Sequence, residues 1–354
     1  MRRQPAILPG SPNRAITQIG RQNPAAGRGF PATCRLPHTV RRPSPAVNSP
    51  AGRPTALSAQ SGLHCALHAG RDRDRVRVRE AGDGDCPHQR DAMSVRPPNL
   101  LVILADDMGY SDIGCFGAEI RTPALDDLAG RGVRFTQMYN AARCCPSRAA
   151  LLLGVYPHRA GVGAMVGDQG HPGYRGFIRP DLPTLAERLR AVGYATWMSG
   201  KWHCGGDYAV HRPEQWQRAG DATHPLPTQR GFERFYGTLG GAGSYFDPRT
   251  LMDQDRFVMP AELPADYYLT DELGHRAAAF IAEAAAARQP FFGYLAFTAP
   301  HWPLHAREAD IAPWRGAYRE GWDALRRRRL QRLVSEGLLP PDQALSERDP
   351  QAPA

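Results

Sequence analysis

The feature that most constrains the fold is an apolar run, Asn99–Ala105, which ends in Asp106 and Asp107. Continuous apolar runs of this length are typical of strands that are buried on both faces of a parallel sheet. In open α/β sheets, ligands bind at the carboxyl ends of strands, where these two carboxylates are expected. Adjacent carboxylates repel each other, and a hard divalent cation would relieve that repulsion. A solvated strand end explains the same pair equally well.

Helix and strand signals alternate along the body of the chain. Helices are predicted at 122–129, 183–192 and 270–287, and strands at 133–139, 194–198 and 291–297. Threonine caps and acidic residues in the first turn mark two of the helix starts. This alternation predicts an α/β fold with a mostly parallel or mixed sheet that is flanked by helices.

The net charge of +9 belongs wholly to the first segment of the chain. Residues 1–92 hold 15 arginines, no lysine and 6 acidic residues, whereas the remaining residues hold 29 basic and 29 acidic side chains. The Arg- and Pro-rich segment 1–92 has no lasting helix or strand period, which predicts a disordered leader. We hypothesise that Met93 is the native start. Phosphate binding by the basic leader is the weaker alternative, so no nucleic-acid partner is expected.

No signal peptide or membrane-spanning stretch is readable in the sequence, which predicts a cytoplasmic protein without a membrane partner. The body of the chain holds four cysteines, Cys115, Cys144, Cys145 and Cys204. They are too few for a disulfide scaffold, and nothing matches the spacing of a zinc site.

Cys144 and Cys145 precede Pro146, which favours a helix start because its φ is preset and its missing N–H is not needed there. The cysteines are therefore expected just before the helix, where backbone N–H groups and the helix dipole favour negative charge. An activated nucleophile and an anionic substrate could meet at such a position. A buried cysteine pair at a strand-to-helix turn is the simpler explanation of these two residues alone.

Lys201 is the only lysine of the chain, beside 43 arginines. This choice indicates a position that needs a compact ammonium group, although chance explains a single lysine equally well. Alternation along an extended segment places Lys201 and His203 on one side. His301 follows the predicted strand 291–297 at its carboxyl end, although a lone loop histidine is ordinarily solvated or packed.

The order Cys144-Cys-Pro-Ser-Arg148, followed by a small apolar helix, resembles the signature of the type I, formylglycine-dependent sulfatases of the alkaline phosphatase superfamily. The resemblance implies an alkaline-phosphatase-like sulfatase fold and an arylsulfatase-like enzyme that hydrolyses sulfate esters of small molecules or carbohydrates. A formylglycine-generating enzyme would convert Cys144 to formylglycine. Asp106, Asp107 and the modified Cys144 would then bind a divalent cation, with calcium favoured by the oxygen ligands.

The resemblance also implies a role for each remaining residue of the motifs. Arg148 would be the fixed cationic neighbour of the catalytic Cys144, and Lys201 would bind the sulfate group. His203 would contact the formylglycine. His301 would contact the substrate and protonate the leaving oxygen.

Two features of the family have no counterpart in the sequence. The family continues with an Asp-Asn pair that completes the metal shell and with a second sulfate-binding lysine, but no asparagine follows Asn140 and no second lysine occurs. We therefore expect residues 93–340 to form a partial N-terminal catalytic domain whose activity is open, followed by a disordered tail at 341–354. A phosphonate or phosphate monoester hydrolase of the same superfamily, or a non-catalytic sulfatase fragment, is the alternative.

Overall fold

A computed structural model of the chain describes residues 96–208 and 212–351, so the predicted leader 1–92 lies outside the described residues. Within the described residues, six strands form one mixed sheet that is flanked by helices, which confirms the predicted α/β class. The strands are β1 (Leu100–Leu104), β2 (Ala195–Gly200), β3 (Arg234–Thr238), β4 (Leu251–Asp253), β5 (Arg256–Phe257) and β6 (Phe291–Ala296). Their order across the sheet is β1-β6-β2-β3-β4-β5.

The helices cover both faces of this sheet. They are α1 (Pro123–Arg131), α2 (Cys144–Leu153), α3 (Pro157–Ala160), α4 (Leu185–Arg190), α5 (Leu269–Ala286), α6 (Glu308–Ile311) and α7 (Trp322–Ser335). Successive strand residues point to opposite faces. Accordingly Met198 packs in one core cluster with residues of α2 and α4, whereas its neighbour Trp197 packs in the other with residues of α5.

The carboxyl ends of three parallel strands, β1, β6 and β2, lie side by side. Leu104 pairs with Ala296, and Ala296 pairs with Gly200, so the chain leaves all three strands at the same level. Gly200 has a φ of +129°, and a Cβ atom there would lie 1.9 Å from the Ala296 carbonyl oxygen. Only glycine therefore lets β2 approach β6 at the point where the chain turns toward Lys201.

The N-terminal part of the sheet differs from the sequence prediction. β1 is an edge strand whose one partner among the described residues is β6. Leu101 and Ile103, on one of its faces, are exposed, so β1 is not buried on both faces. The predicted strand 133–139 is irregular chain with mostly exposed side chains. This segment pairs with no strand among the described residues, although β1 leaves one edge of the sheet free. Alternating apolar residues alone therefore did not specify a strand here.

One arginine of the arginine-rich helix α7 is not solvated, because the side chain of Arg329 is only 20% exposed. The Arg329 guanidinium lies 2.9 Å from a Glu119 carboxylate oxygen and also pairs with Asp112. These contacts hold α7 against the segment that follows β1. The chain beyond α7 has no helix or strand up to residue 351, and Arg348 returns to Asp323 of α7 at 3.2 Å. Within the described ranges, none of the helices combines the length and apolar character needed to cross a membrane.

Candidate active site

The cysteine pair lies in the first turn of α2. The sequence had predicted it just before the helix. The helix begins at Cys144, so Pro146 is its third residue, where its missing N–H leaves no helical hydrogen bond unmade. The Ser147 hydroxyl accepts a hydrogen bond from the Ala141 backbone N–H at 3.1 Å, which ties the preceding loop to the helix. Cys144 is half-buried and Cys145 is fully buried.

Arg148 lies one turn further along α2 and is 1% exposed. Its Nη1 donates hydrogen bonds to the Lys201 carbonyl at 2.6 Å and to the Tyr294 hydroxyl at 3.3 Å. Its Nη2 lies 3.3 Å from Asp106 Oδ2, but without hydrogen-bond geometry, and Nε has no partner among the described residues. Part of the guanidinium is therefore left to interact with another anion.

Lys201 follows β2 directly, is 0% exposed and forms an ion pair with the same Asp106 oxygen. Asp106 follows β1 and is 5% exposed, and its backbone N–H donates to the Ala299 carbonyl beyond β6 at 3.1 Å. Two buried cations thus share one buried carboxylate. Because an uncompensated buried charge is costly, this arrangement favours an additional anion.

His203 lies two residues beyond Lys201 and is buried, with a positive φ of 51° that turns the chain toward α2. Its Nε2 lies 3.2 Å from Cys145 Sγ, and burial lowers the pKa of the imidazole. A hydrogen bond from the Cys145 thiol lowers the pKa of the Cys144 thiol, and His203 and Lys201 lower it further. The same contact and burial raise the pKa of Cys145. Negative charge in this pair therefore concentrates on Cys144.

Asp107 and His301 lie near the surface and form a separate pair. Asp107 has a φ of +62° and a side chain that is 63% exposed, and its Oδ2 lies 3.5 Å from His301 Nε2. The Tyr245 hydroxyl donates to the His301 carbonyl at 2.6 Å and so holds the loop after β6 in place. The structure thus gives the two adjacent aspartates different partners.

Three contact residues were not identified from the sequence as members of this site. Tyr294 is fully buried on β6 and contacts Arg148, and the one available signal was a polar hydroxyl within an otherwise apolar strand. Tyr245 and Cys145 have no such signal, because Tyr245 lies in a loop and the partner of Cys145, His203, is 58 residues away.

The described residues do not complete a calcium site. Calcium takes about six to eight oxygen ligands. Asp106 and Asp107 supply carboxylates, but one Asp106 oxygen already contacts Lys201 and Arg148. Among the described residues, neither aspartate belongs to a group of three His, Cys, Asp or Glu side chains whose ligand atoms lie within 4.8 Å of one another.

Comparison with known proteins identifies the family of the chain. The family model described as Sulfatase matches residues 98–349. An uncharacterized sulfatase of Schizosaccharomyces pombe is 37% identical over 69% of this chain and 45% of its own length. An arylsulfatase of Klebsiella aerogenes is 35% identical over 70% of this chain and 52% of its own length.

A solved Bacteroides thetaiotaomicron structure, from work on a locus for metabolism of multiple glycosaminoglycans, aligns with a TM-score of 0.51. It is 17% identical over 68% of this chain and 58% of the solved chain, so it supports the fold alone. The chain spans about half the length of the two curated relatives described above. By its match to the family model over most of the described residues, the chain belongs to the sulfatase family, of the type I class within the alkaline-phosphatase-like superfamily.

Proposed function

We propose that this chain hydrolyses sulfate esters at residue 144. The observation that supports this most is the convergence of two buried cations, Arg148 and Lys201, on the single carboxylate of Asp106. One cation is balanced by that carboxylate, so the site retains a positive charge that the anion of a sulfate monoester would neutralise. Burial strengthens this attraction because water does not screen it.

Position 144 suits the formylglycine that family membership implies in general. It is half-buried at the start of α2, and the lowered pKa of its thiol indicates surroundings that favour an anion at this side chain. A formylglycine made there by a formylglycine-generating enzyme would supply a hydroxyl nucleophile for attack on sulfur. His203, which burial favours in its neutral form, accepts a proton from residue 144.

The remaining side chains act on the ester. Arg148 and Lys201 bind the sulfate oxygens, on which negative charge increases during transfer. His301 donates a proton to the leaving oxygen, and Asp107, whose Oδ2 lies 3.5 Å from its Nε2, orients the ring. The substrate class is the sulfate esters of small molecules or carbohydrates, with aryl sulfates the first choice because curated relatives carry the name arylsulfatase.

Family membership also implies a divalent cation in general. At this site, the family resemblance in the sequence assigns only the carboxylates of Asp106 and Asp107 to calcium. Asp106 is already paired with Lys201 and Arg148. No step of the proposal therefore depends on calcium.

A non-catalytic, anion-binding fragment is the second candidate. The observation in its favour is the same ion cluster, in which Asp106 is already paired with Lys201 and Arg148. In this case the chain would bind sulfate esters without turnover.

Turnover of matched esters by the converted chain tests the proposal. The full chain is produced together with a formylglycine-generating enzyme, and the mass of the peptide containing residue 144 establishes conversion. We expect hydrolysis of an aryl sulfate to exceed that of the matched aryl phosphonate. Cys144→Ala should abolish turnover, whereas Cys115→Ser, a cysteine control outside the site, should retain it.

Each other outcome supports a different function. Faster hydrolysis of the phosphonate would identify a phosphonate hydrolase instead. A converted chain that binds sulfate but hydrolyses neither ester would identify the non-catalytic fragment. Unchanged turnover in Cys144→Ala would refute the assignment of residue 144.

A further inference from the structure

We propose that the unconverted chain binds a thiophilic divalent ion of the zinc class through Cys144, Cys145 and His203. The ligand atoms of these three side chains all lie within 4.8 Å of one another. Within this group, Cys145 Sγ is 3.2 Å from His203 Nε2. The site exists in the thiol form of the chain and does not depend on turnover of any ester.

The spacing suits a small tetrahedral ion. Zinc–sulfur bonds of about 2.3 Å and zinc–nitrogen bonds of about 2.0 Å place neighbouring ligand atoms about 3.5 to 3.8 Å apart. The Cys145–His203 distance is within a few tenths of an ångström of this range. Rotation of the half-buried Cys144 side chain is the adjustment that brings its sulfur into the same shell. Three protein ligands leave the fourth position to water or a small thiol.

Burial prepares the ligands for a metal. Cys145 is 0% exposed and His203 is 5% exposed, so the ion would be held mostly away from water. The Nδ1 atom of His203 has no hydrogen-bond partner among the described residues, while Nε2 faces the sulfurs. The ring can therefore carry its proton on Nδ1 and offer Nε2 as a neutral donor, which is the form that binds metals.

The charges of the site select the type of ion. Arg148 and Lys201 oppose a bare cation, and Asp106 balances only one of them. When two thiols bind the ion, both S–H protons pass to solvent, so two thiolates cancel the divalent charge without any change of oxidation state. Soft sulfur ligands favour zinc-class ions, whereas calcium takes oxygen ligands.

Bound metal would also control the chemistry of Cys144. A sulfur held by zinc is unavailable as a free nucleophile, so the ion would protect the chain from conversion of this residue. Conversion would in turn remove one ligand and weaken the site. This consequence, unlike the site itself, rests on the proposed function.

Cobalt(II) is the probe for the metal site, since it reports tetrahedral sulfur ligation by its absorption spectrum. The full chain is made without a formylglycine-generating enzyme, with serine at the leader cysteines Cys34, Cys65 and Cys86 in every protein compared. We expect one equivalent of cobalt to give thiolate charge-transfer and tetrahedral d–d bands, and zinc to displace it. Cys145→Ala and His203→Gln should each weaken binding at least about tenfold, whereas Cys115→Ser should not change it.

A second measurement on the unsubstituted cluster keeps the test independent of how the variants fold. Zinc should slow alkylation of the peptide 144–148 and leave alkylation of Cys115 unchanged, as followed by mass spectrometry. Cobalt binding that survives in both variants, or alkylation of 144–148 that zinc does not slow, would overturn the proposal. Neither readout requires ester hydrolysis, so the metal site and the proposed function fail separately.

Discussion

Asp106 is the one carboxylate, among the described residues, that pairs with both Arg148 and Lys201. Asp106→Asn keeps the size of the side chain and one acceptor oxygen but removes the negative charge. Two buried cations are then left without a compensating anion. Asp107→Asn is the matched control, because the neighbouring side chain makes the same chemical change at a position that is 63% exposed.

The expected magnitude follows from burial. Lys201 is 0% exposed, Arg148 1% and Asp106 5%, so the small values measured for surface ion pairs do not apply. Removal of one partner of a buried ion pair costs about 3 to 5 kcal/mol. Because the asparagine amide still accepts a hydrogen bond, we expect Asp106→Asn at the lower end of this range. For a domain of this size, about 3 kcal/mol lowers Tm by roughly 6 to 12 °C.

Urea unfolding of the wild-type chain and the two variants at neutral pH measures this difference. Asp107→Asn should change the free energy of unfolding by no more than about 0.5 kcal/mol. Added sulfate should recover more stability in Asp106→Asn than in the wild type, since it binds two uncompensated cations. Equal stability of the two variants would refute the buried ion cluster. Calcium-dependent stabilisation that both substitutions abolish would instead show that these carboxylates do form a calcium site.

Two further predictions concern parts of the fold outside the site. Arg329→Ala should lower the free energy of unfolding by about 1 to 2 kcal/mol, because its ion pairs with Glu119 and Asp112 are lost. Arg327 lies on an exposed face of the same helix. Arg327→Ala should therefore change the free energy of unfolding by less than about 0.5 kcal/mol in the same urea assay. Burial lowers the pKa of His224, so the unfolded chain binds a proton more readily than the folded chain, and stability should fall as pH drops below the ordinary pKa of 6.5. His224→Gln should make the decline of Tm with falling pH less steep. An unchanged slope of Tm against pH would contradict this role of His224.

The central strands, and so the strand ends that carry the candidate residues, could be predicted from the sequence, because apolar runs indicate local burial. The run before Asp106 and the one before His301 both became strands of the parallel part of the sheet. Their register could not be predicted, yet the register brings Asp106 beside Lys201. Lys201, the only lysine of the chain, indicated a position with a special requirement. Its partner, Asp106, could be identified only from the structure, in which β1 and β2 flank β6. The sequence likewise could not show that 133–139 would lack a strand partner.

The cysteine pair shows most clearly why the rest of the candidate site could not be predicted from the sequence. Zinc sites are recognised in sequences by ligands at short, regular intervals, and adjacent cysteines followed by a histidine 58 residues later have no such spacing. In a parallel sheet, however, the groups that meet are those that follow the ends of neighbouring strands, whatever their separation along the chain. β2 delivers Lys201 to Asp106 and, two residues later, His203 to Cys145. The turn after β2 therefore supplies both the cation that we propose binds sulfate and the third ligand that we propose for the thiol cluster.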